Sequence, residues 1–259
     1  MFMEERQAKI LELLERDGKV LVKELAETFG VTEDSIRKDL GTLETEGQLK
    51  RTYGGAVAIK EKLHVAEANK RRISDVEAKR KIAAVAVKLM TPQDLIFLDT
   101  STISIAIAEI LAKSETEYKI LTNMIDVLVL LARNPKINLI FAGGQINKSR
   151  DGFFDGLNLE FMAHFRPTLA FIGVVGVDIE KNSLSTNDSN TGMHKRRMIE
   201  LSQNIYVIAE SRKLGTEASF NFATLNKIRG LITESIPSQK ILSDAEKRQL
   251  KIILPNNRE

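Results

Sequence analysis

Between Thr32 and Gly47 the apolar residues are spaced as on one face of an α-helix. Ile36, Leu40 and Leu43 recur at intervals of four and three residues, so that they form a single inward stripe. Thr32 is a favourable N-cap residue, and the two acidic residues after it would interact well with the positive end of the helix dipole. Gly47 is a typical C-terminal stop. The pattern therefore predicts an amphipathic helix over residues 32–47.

The residues before this helix predict further helices and a tight turn. Residues 22–29 carry apolar side chains on one face of a short helix, and residues 30–31, Gly-Val, supply the turn after it. Residues 4–16 predict a first helix, and residues 19–21 a short strand. Two helices joined by a glycine-containing turn form a helix-turn-helix, whose second helix lies in the major groove of DNA. An ordinary corner between two helices explains the same pattern, and this alternative stays open.

The polar face of the predicted second helix and the segment after it carry groups that suit DNA. Residues 48–59 predict two short strands around a turn at Gly54-Gly55, which is the arrangement of a β-wing. We expect Lys50 and Arg51 of this wing to meet phosphates. On the helix, the outward side chains that can bond phosphates and base edges are Ser35, Arg37, Lys38 and Thr42.

The charge of this region limits how strongly one copy can bind DNA. The whole chain has a formal net charge of +3, but residues 1–60 contain ten Lys and Arg against twelve Asp and Glu. The basic residues must therefore be concentrated on one face if the region binds DNA. Because a single head of this kind binds weakly, we expect a homo-oligomer that presents two heads to a double-stranded DNA operator.

From residue 74 onward, short apolar strands alternate with helical segments. Strands are predicted over residues 95–98, 119–121, 137–142, 169–172, 205–209, 230–233 and 251–254, and helices over residues 75–90, 103–111 and 125–133. This alternation predicts an α/β domain built on a parallel, Rossmann-like sheet with helices on both faces. In such sheets the ligand binds at the carboxyl ends of the strands.

The segment between the two patterns indicates where one domain ends and the next begins, and the overall composition indicates the class of protein. Residues 60–73 are charged and lack Gly and Pro, and we interpret them as a linker with partial helical content between a DNA-binding domain, 1–59, and a second domain, 74–259.

With 259 residues, 43% of them hydrophobic, the chain can bury a core in each domain. It has no Cys, which excludes disulfides and thiolate catalysis. No apolar run approaches the roughly 18 residues of a membrane span, so we expect a cytoplasmic protein without membrane association.

Several runs of residues resemble the DeoR family of bacterial repressors over nearly the whole chain. The N-terminal runs are EERQAKILELL, VKELAETFGV, SIRKDL and LETEGQLKRTYGGAV, and the C-terminal runs are FLDTSTISIA, ILTN, FAGG, FIGVVGVD and VIAESRKLG. The resemblance implies an N-terminal winged helix and a C-terminal sensor domain related in fold to ribose-5-phosphate isomerase and the CoA transferases. It further implies a repressor of a sugar-catabolism operon that is controlled by a phosphorylated sugar, and dimers or tetramers joined mainly through the sensor domain.

The same resemblance places an effector pocket at the strand ends. The positions that it assigns to this pocket are Lys79, Asp99, Thr100, Ser101, Thr102, Asn123, Gly143, Gly144, Gly173, Asp178 and Lys213. We expect the phosphate on the turn at residues 100–102, where backbone N–H groups face the ligand at the start of a helix, and beside Lys213. Asp99 and Asn123 are expected to meet sugar hydroxyls.

This chain departs from the family pattern at two positions of the predicted phosphate loop. Ser101 stands where Gly is usual, and Ile103 stands where Thr is usual. A side chain at position 101 narrows the loop, which leaves open a different ligand or an unphosphorylated one. A simpler alternative also stays open, in which the hydroxyls of the loop only cap the helix and Lys213 is an ordinary surface lysine.

An enzyme is the alternative function, because the isomerases that the sensor domain resembles are catalytic. Their Gly-Ala-Asp-Glu motif corresponds here to Gly-Val-Val-Gly at residues 173–176, so both carboxylates of the acid–base chemistry are missing. His64, His164 and His194 show no metal-ligand spacing and no nucleophile motif, and we expect neither a metal nor another cofactor. The sequence therefore favours a regulator over a sugar-phosphate isomerase-like enzyme with a fused DNA-binding domain.

Overall fold

The buried apolar residues divide the chain into two units, Met1–Arg71 and Arg72–Glu259. The computed structural model describes residues 2–255, without the side chains of residue 15 and residues 60–66. The N-terminal unit has one apolar core, and the C-terminal unit has two, one on each face of its main sheet.

The N-terminal unit is the predicted winged helix. Its helices are α1 (Met3–Asp17), α2 (Val22–Phe29) and α3 (Glu33–Thr45), and its strands are β1 (Lys19–Leu21), β2 (Lys50–Thr52) and β3 (Gly55–Val57). The strands pair antiparallel in the order β1-β3-β2. The predicted inward stripe of α3 is confirmed, since Ile36, Leu40 and Leu43 are all buried in the core that α1 and α2 share.

Both predicted ends of α3 are present. The Thr32 hydroxyl accepts a hydrogen bond from the Ser35 N–H at 3.3 Å, as an N-cap does. After the helix, Gly47 takes a positive φ of 65°, and its N–H bonds to the Glu44 carbonyl at 2.9 Å. The Gln48 N–H reaches the Leu43 carbonyl at 2.7 Å, which completes a Schellman motif. These bonds fix where α3 ends and how the chain leaves it toward the wing.

The wing is a two-residue hairpin whose turn lies one residue earlier than predicted. Thr52 pairs with Gly55, so Tyr53 and Gly54 form the turn and Gly55 is the first residue of β3. Gly54 has a φ of +83°, which side chains tolerate poorly. A side chain at Gly55 would collide with the Val20 carbonyl of β1, so the second glycine serves strand packing and not the turn.

The segment interpreted as a linker, residues 60–73, is helix α4 (Lys60–Ile73) along its whole length. Its many Lys, Glu, Ala and Arg residues have good helix propensity, and nothing in it breaks a helix. The lack of apolar periodicity therefore did not mean a lack of helix.

The described part of the C-terminal unit contains two sheets. Its strands in chain order are β4 (Leu95–Leu98), β5 (Tyr118–Thr122), β6 (Ile137–Phe141), β7 (Leu169–Gly173), β8 (Gly176–Asp178), β9 (Ser183–Thr186), β10 (Asn204–Ile208), β11 (Phe220–Ala223), β12 (Gly230–Ile232) and β13 (Ile252–Ile253). Seven of them form a parallel sheet in the order β13-β12-β10-β7-β4-β5-β6. These are the seven predicted strands, and the parallel α/β fold is confirmed.

Helices cover both faces of the parallel sheet. They are α5 (Val76–Lys88), α6 (Thr102–Leu111), α7 (Ile125–Leu131), α8 (Gly156–Met162), α9 (Ser189–Leu201) and α10 (Gln239–Lys247). Ile96 and Leu98 of β4 pack in the core with α5, α6 and α7, whereas Phe97 between them packs in the core with α8, α9 and α10. Within the described residues, no helix has both the length and the apolar character that crossing a membrane requires.

The second sheet was not predicted. Its strands β8, β9 and β11 have three or four residues each and pair antiparallel in the order β11-β9-β8. Strand β9 reads Ser-Leu-Ser-Thr, and all four residues are buried, so its sequence carries no apolar run that marks a buried strand. The sequence also gave no assignment for α8, α9 and α10.

Candidate functional site

The carboxyl ends of β4 and β7 meet at a buried charge. Pairing of Leu98 with Phe171 sets these two strands side by side, so that Asp99 lies next to Gly173. The Asp99 carboxylate accepts the Gly173 N–H at 2.9 Å, and the same oxygen pairs with the ammonium of Lys195 from α9. The side chains of Lys195 and Asp99 are only 4% and 3% exposed. An ion pair this deep is tolerated because each charge has a partner.

Sequence reasoning missed Lys195, although its helix carried a signal. Lys195 precedes Met198 and Ile199 by three and four residues, so it belongs to the same helical stripe as two buried apolar residues. A lysine on the inward stripe of a helix needs a buried partner. Recognising α9 as a helix would therefore have marked Lys195 as a site candidate.

The loop after β4 commits two of its hydroxyls to protein groups. The Ser101 Oγ caps α6 by accepting the Ile103 N–H at 3.2 Å, and the Thr100 hydroxyl donates to the Asn123 Oδ1 at 3.2 Å. The Ser101 side chain lies against Gly173, where a Cβ would come 2.5 Å from the Ser101 Cβ. Gly173 thus makes the space that the unusual Ser101 occupies. Thr102 begins α6 and is partly exposed at the site.

Asn123 connects this loop to a rim formed by residues 151–154. Its side-chain amide donates to the Phe153 carbonyl at 2.8 Å, and its own carbonyl accepts the Phe153 N–H at 3.1 Å. Gly152 packs against the Thr100 hydroxyl. Asn123 is therefore both buried and held in place by its hydrogen-bond partners.

Gly143 and Gly144 lie exposed in the loop after β6. The side-chain amide of Asn158 donates to the Gly143 carbonyl at 3.0 Å, which ties this loop to α8. Gly144 has a positive φ of 148° and leaves room for the Asp155 carboxylate, the N-cap of α8. The two glycines shape the loop after β6, and no contact in the described part of the chain joins them directly to Asp99.

Lys213 stands beside the centre of the site and not on an unrelated surface. Its ammonium lies 3.1 Å from the carbonyl of Val174, the residue after Gly173, and 2.7 Å from the Glu210 carboxylate. Burial alone would raise the pKa of Glu210, but Lys213 and Arg212 outweigh it and hold that pKa below its usual range. Glu210, which sequence reasoning also missed, holds the Lys213 ammonium toward the strand ends.

Lys79 lies close to Glu210, as Lys213 and Arg212 do. It is 3% exposed, and its ammonium donates to the Ser74 carbonyl. Burial lowers the pKa of Lys79, while the nearby carboxylates of Glu210 and Asp75 oppose that shift. Lys79 and Lys213 thus place two cations around one buried carboxylate at the end of β10.

Asp178 and the histidines complete the predicted set. Asp178 accepts the Lys181 N–H at 2.9 Å within the turn between β8 and β9, which is a local structural role. His194 is buried and packs edge-on against Phe154 at 5.3 Å, and its Nδ1 has no hydrogen-bond partner among the described residues. Burial lowers its pKa, against the opposing effects of Asp155, Phe154 and Asp99. His164 is exposed, and the side chain of His64 lies outside the described residues.

The exposed face of α3 and the wing form a second polar surface, on the N-terminal unit. Arg37 and Lys38 are exposed on α3, and so are Lys50 and Arg51 on β2. The Arg51 guanidinium approaches Gly41 of α3, so the wing and the helix present one continuous surface. Of the other predicted residues, the Ser35 Oγ lies 3.0 Å from the Thr32 Oγ1, and the Thr42 hydroxyl donates to the Lys38 carbonyl at 3.2 Å.

A buried ion pair sets α3 on α1. The Arg6 guanidinium makes two bonds to the Asp39 carboxylate, of 2.5 and 3.1 Å, and the side chains are 11% and 2% exposed. Asp39 lies on the inward face of α3, between Ile36 and Leu43. Neither residue was singled out in the sequence. Among the described residues, no group of three or more His, Asp or Glu side chains could hold a metal ion.

Comparison with known proteins gives matches over both units. A family model described as "DeoR C terminal sensor domain" matches residues 74–235, and one described as "DeoR-like helix-turn-helix domain" matches residues 6–62. The HTH-type transcriptional regulator YulB of Bacillus subtilis (strain 168) is 31% identical over 97% of this chain and 96% of its own. The HTH-type transcriptional repressor GlcR of the same organism is 27% identical over 98% and 97%.

Two further matches are a repressor from another organism and a solved structure. The glycerol-3-phosphate regulon repressor of Escherichia coli (strain K12) is 28% identical over 92% of this chain and 93% of its own. Among solved structures, ribose 5 phosphate isomerase A from Neisseria gonorrhoeae gives a TM-score of 0.41 at 16% identity, over 54% of each chain. A likeness at that level says nothing about activity.

Proposed function

This chain belongs to the DeoR family of DNA-binding transcriptional repressors, and we propose that it represses a sugar-catabolism operon under the control of a phosphorylated sugar. The observation that carries the proposal is that Asp99 and Lys213 contact neighbouring residues at the end of β7: Asp99 bonds to the Gly173 N–H, and Lys213 bonds to the Val174 carbonyl. One supplies a fixed carboxylate for hydroxyl groups, and the other a fixed cation for a phosphate.

The sugar would bind against Asp99 and Asn123. Both side chains are buried and held by bonds to Lys195, Gly173 and Phe153, so their remaining lone pairs and N–H groups point in fixed directions. Fixed polar groups lose little entropy when a ligand binds, and they discriminate against ligands that leave them unpaired. His194, with its unpartnered Nδ1, is an additional group for such a ligand.

The phosphate would bind at the turn of residues 100–102 and at Lys213, with Lys79 adding positive charge nearby. Because the Thr100 hydroxyl donates to Asn123, the ligand would use backbone N–H groups and the hydroxyls of Ser101 and Thr102. The Ser101 Oγ accepts the Ile103 N–H and keeps its own proton for a ligand. The names of relatives such as the glycerol-3-phosphate regulon repressor fit a small phosphorylated effector.

On DNA, α3 and the wing would act together. We propose that Arg37 and Lys38, with Ser35 and Thr42, contact the major groove, and that Lys50 and Arg51 contact phosphates. The acidic balance of residues 1–60 makes one head a weak binder. Dimers or tetramers joined through the C-terminal unit would raise the affinity for a repeated site through effective concentration.

An enzymatic function is the weaker alternative. At residues 173–176, where the related isomerases carry their catalytic carboxylates, this chain has Gly-Val-Val-Gly. In the described part of the C-terminal unit the buried acids are engaged: Asp99 with Lys195, and Glu210 with Lys213. We therefore propose a sensor that binds its sugar without converting it.

Thermal unfolding with a panel of sugar phosphates and their unphosphorylated counterparts tests the effector. A ligand that binds only the folded state raises Tm, by an amount that grows with its concentration over Kd. We expect a phosphorylated sugar to raise Tm, its plain counterpart not to, and Lys213→Ala to abolish the shift. Lys240→Ala, which removes an exposed lysine, should keep it. Equal shifts by both sugar forms, or turnover of the binding sugar, would rule the proposal out.

A further inference from the structure

Arg37 is held by two carboxylates of its own helix. Its guanidinium lies 2.5 Å from the Glu33 Oε2 and 2.7 Å from the Asp34 Oδ1. All three side chains are exposed, at 50%, 46% and 82%. Glu33 and Asp34 lie in the first turn of α3, directly after the N-cap Thr32, and Arg37 lies one turn later. The Glu33–Arg37–Asp34 cluster therefore lies on the surface of the N-terminal unit and not in its core.

The place of this cluster matters because the first turn of the second helix contacts base edges in helix-turn-helix proteins. A bare helix N-terminus attracts phosphate through its free N–H groups and its dipole. Here two negative charges cancel that attraction. The same charges engage the arginine that would otherwise bind any phosphate within reach. This end of α3 is thus a poor binder of DNA backbone, in keeping with the excess of acidic residues in residues 1–60.

Guanine can bond to an arginine as phosphate can, but guanine carries no negative charge. Its O6 and N7 atoms accept two bonds from an arginine, as a pair of carboxylate oxygens does, but the base is neutral. The carboxylates of Glu33 and Asp34 repel a phosphate brought up to Arg37, whereas they do not repel a neutral base edge. Arg37 can therefore exchange its carboxylate partners for guanine more easily than for phosphate.

We propose that Glu33 and Asp34 determine specificity by keeping Arg37 off the phosphates of non-cognate DNA and releasing it to guanine. This inference rests on the proposed role of Arg37 in DNA binding. Such a device weakens binding to every sequence, but it weakens binding to the wrong sequences more, and discrimination is a difference of affinities. The carboxylates act through Arg37 and need not touch DNA themselves.

The test compares operator and scrambled DNA. Full-length wild type first selects its site from random duplexes, and the selected and scrambled duplexes are then titrated at several salt concentrations. For Glu33→Gln, Asp34→Asn we expect scrambled DNA to bind about tenfold more tightly, and the operator no more than about threefold. The logarithmic salt dependence on scrambled DNA should steepen by about one, because Arg37 gains a phosphate contact.

A charge-matched control separates this mechanism from general electrostatics. Glu27→Gln, Glu46→Gln removes two exposed carboxylates elsewhere on the unit and should strengthen both duplexes alike. If Glu33 and Asp34 only stabilise α3, their variant lowers Tm and leaves the ratio of affinities unchanged, which overturns the inference. If the control variant lowers the ratio of operator affinity to scrambled-DNA affinity by the same amount, the inference is also overturned. If wild type selects no site at all, the DNA-binding role of this surface fails, and the inference fails with it.

Discussion

Lys195 of α9 and Asp99 after β4 form a buried ion pair at the floor of the candidate effector site, with their side chains 4% and 3% exposed. The Gly173 N–H bonds to the same carboxylate oxygen at 2.9 Å. One carboxylate thus links the ends of two central strands to a helix that follows much later in the chain. A ligand that bonds to Asp99 would also change the ion pair between Asp99 and Lys195, and hence the position of α9.

Lys195→Met should destabilise the C-terminal unit strongly, because it leaves Asp99 charged and buried without a cation. Loss of one partner of a buried pair typically costs about 3–5 kcal/mol in the free energy of unfolding. Lys195→Met, Asp99→Asn should recover part of this loss, since no unpaired charge remains. Urea unfolding of the three proteins measures both effects. A double variant less stable than Lys195→Met would show that the pair is not the cause.

The stability of the protein should depend on the protonation of His194 between pH 7 and 5. Burial lowers the pKa of His194 below its ordinary value of 6.5, so the folded state binds this proton less readily than the unfolded chain. The contribution of His194 to the unfolding free energy is therefore at its full value above about pH 6.5, and it is lost as the pH falls toward the lowered pKa. Carboxyl groups with lowered pKa, such as Glu210, stabilise the fold throughout this range and lose that stabilisation only at more acidic pH.

His194→Asn should flatten the unfolding free energy over that pH range. The exposed His164 supplies the control, since His164→Asn should leave the pH dependence unchanged. Chemical unfolding at half-unit pH steps would measure the slope for each protein. A wild-type slope that survives in His194→Asn would mean that another group titrates.

The parallel sheet was predictable because each strand is a short apolar run that is buried on both faces. Residues 95–98, Leu-Ile-Phe-Leu, alternate between the two cores and could not be stable exposed to water. Strand β9 gave no such signal, because three of its four buried residues are polar. The Ser185 hydroxyl is buried with partners: it donates to the Gly176 carbonyl and accepts the Ala218 N–H. Polar residues that are buried with partners look like loop residues in a sequence.

The centre of the candidate site was predictable only where a residue directly follows a strand. Asp99, Asn123, Gly173 and Lys213 all stand at or just after strand ends, where ligands of such sheets bind. Lys195 comes from a helix that packs across the sheet, and its partner is 96 residues away in sequence. No local pattern encodes a contact at that separation, although the helical stripe marks Lys195 as inward.

Substitutions at Ser101 and Gly173 should compensate for each other in stability. In Gly173→Ala the new Cβ would lie 2.5 Å from the Ser101 Cβ, so the loop or the strand end must shift. Overpacking of this kind typically costs about 1–3 kcal/mol. Ser101→Gly loses the cap of α6 but removes the obstacle, so Ser101→Gly, Gly173→Ala should be more stable than Gly173→Ala alone. Thermal unfolding of a double-mutant cycle would measure the coupling, and additive effects would contradict the packing argument.

The ion pair between Arg6 and Asp39 should be needed to hold α3 on α1. Arg6→Ala leaves the Asp39 carboxylate in the core without its two hydrogen bonds, and we expect a loss of about 2–4 kcal/mol in the N-terminal unit. Arg16→Ala is the control, because its pair with Asp17 is exposed and should contribute nothing measurable. Hydrogen exchange of the α3 amides reports this unit separately, and equal protection in the two variants would contradict the prediction.

Lys50 on β2 should contribute to DNA binding through phosphate alone. It is exposed on the wing, beside a surface that also carries Arg51 and the outer face of α3. A lysine bound to phosphate releases about one counterion from DNA and reads no base. Lys50→Ala should therefore weaken operator and scrambled DNA by the same factor and reduce the logarithmic salt dependence by about 0.9. Lys81→Ala, an exposed lysine on α5, should change neither, and a change confined to the operator would instead make Lys50 a base-reading residue.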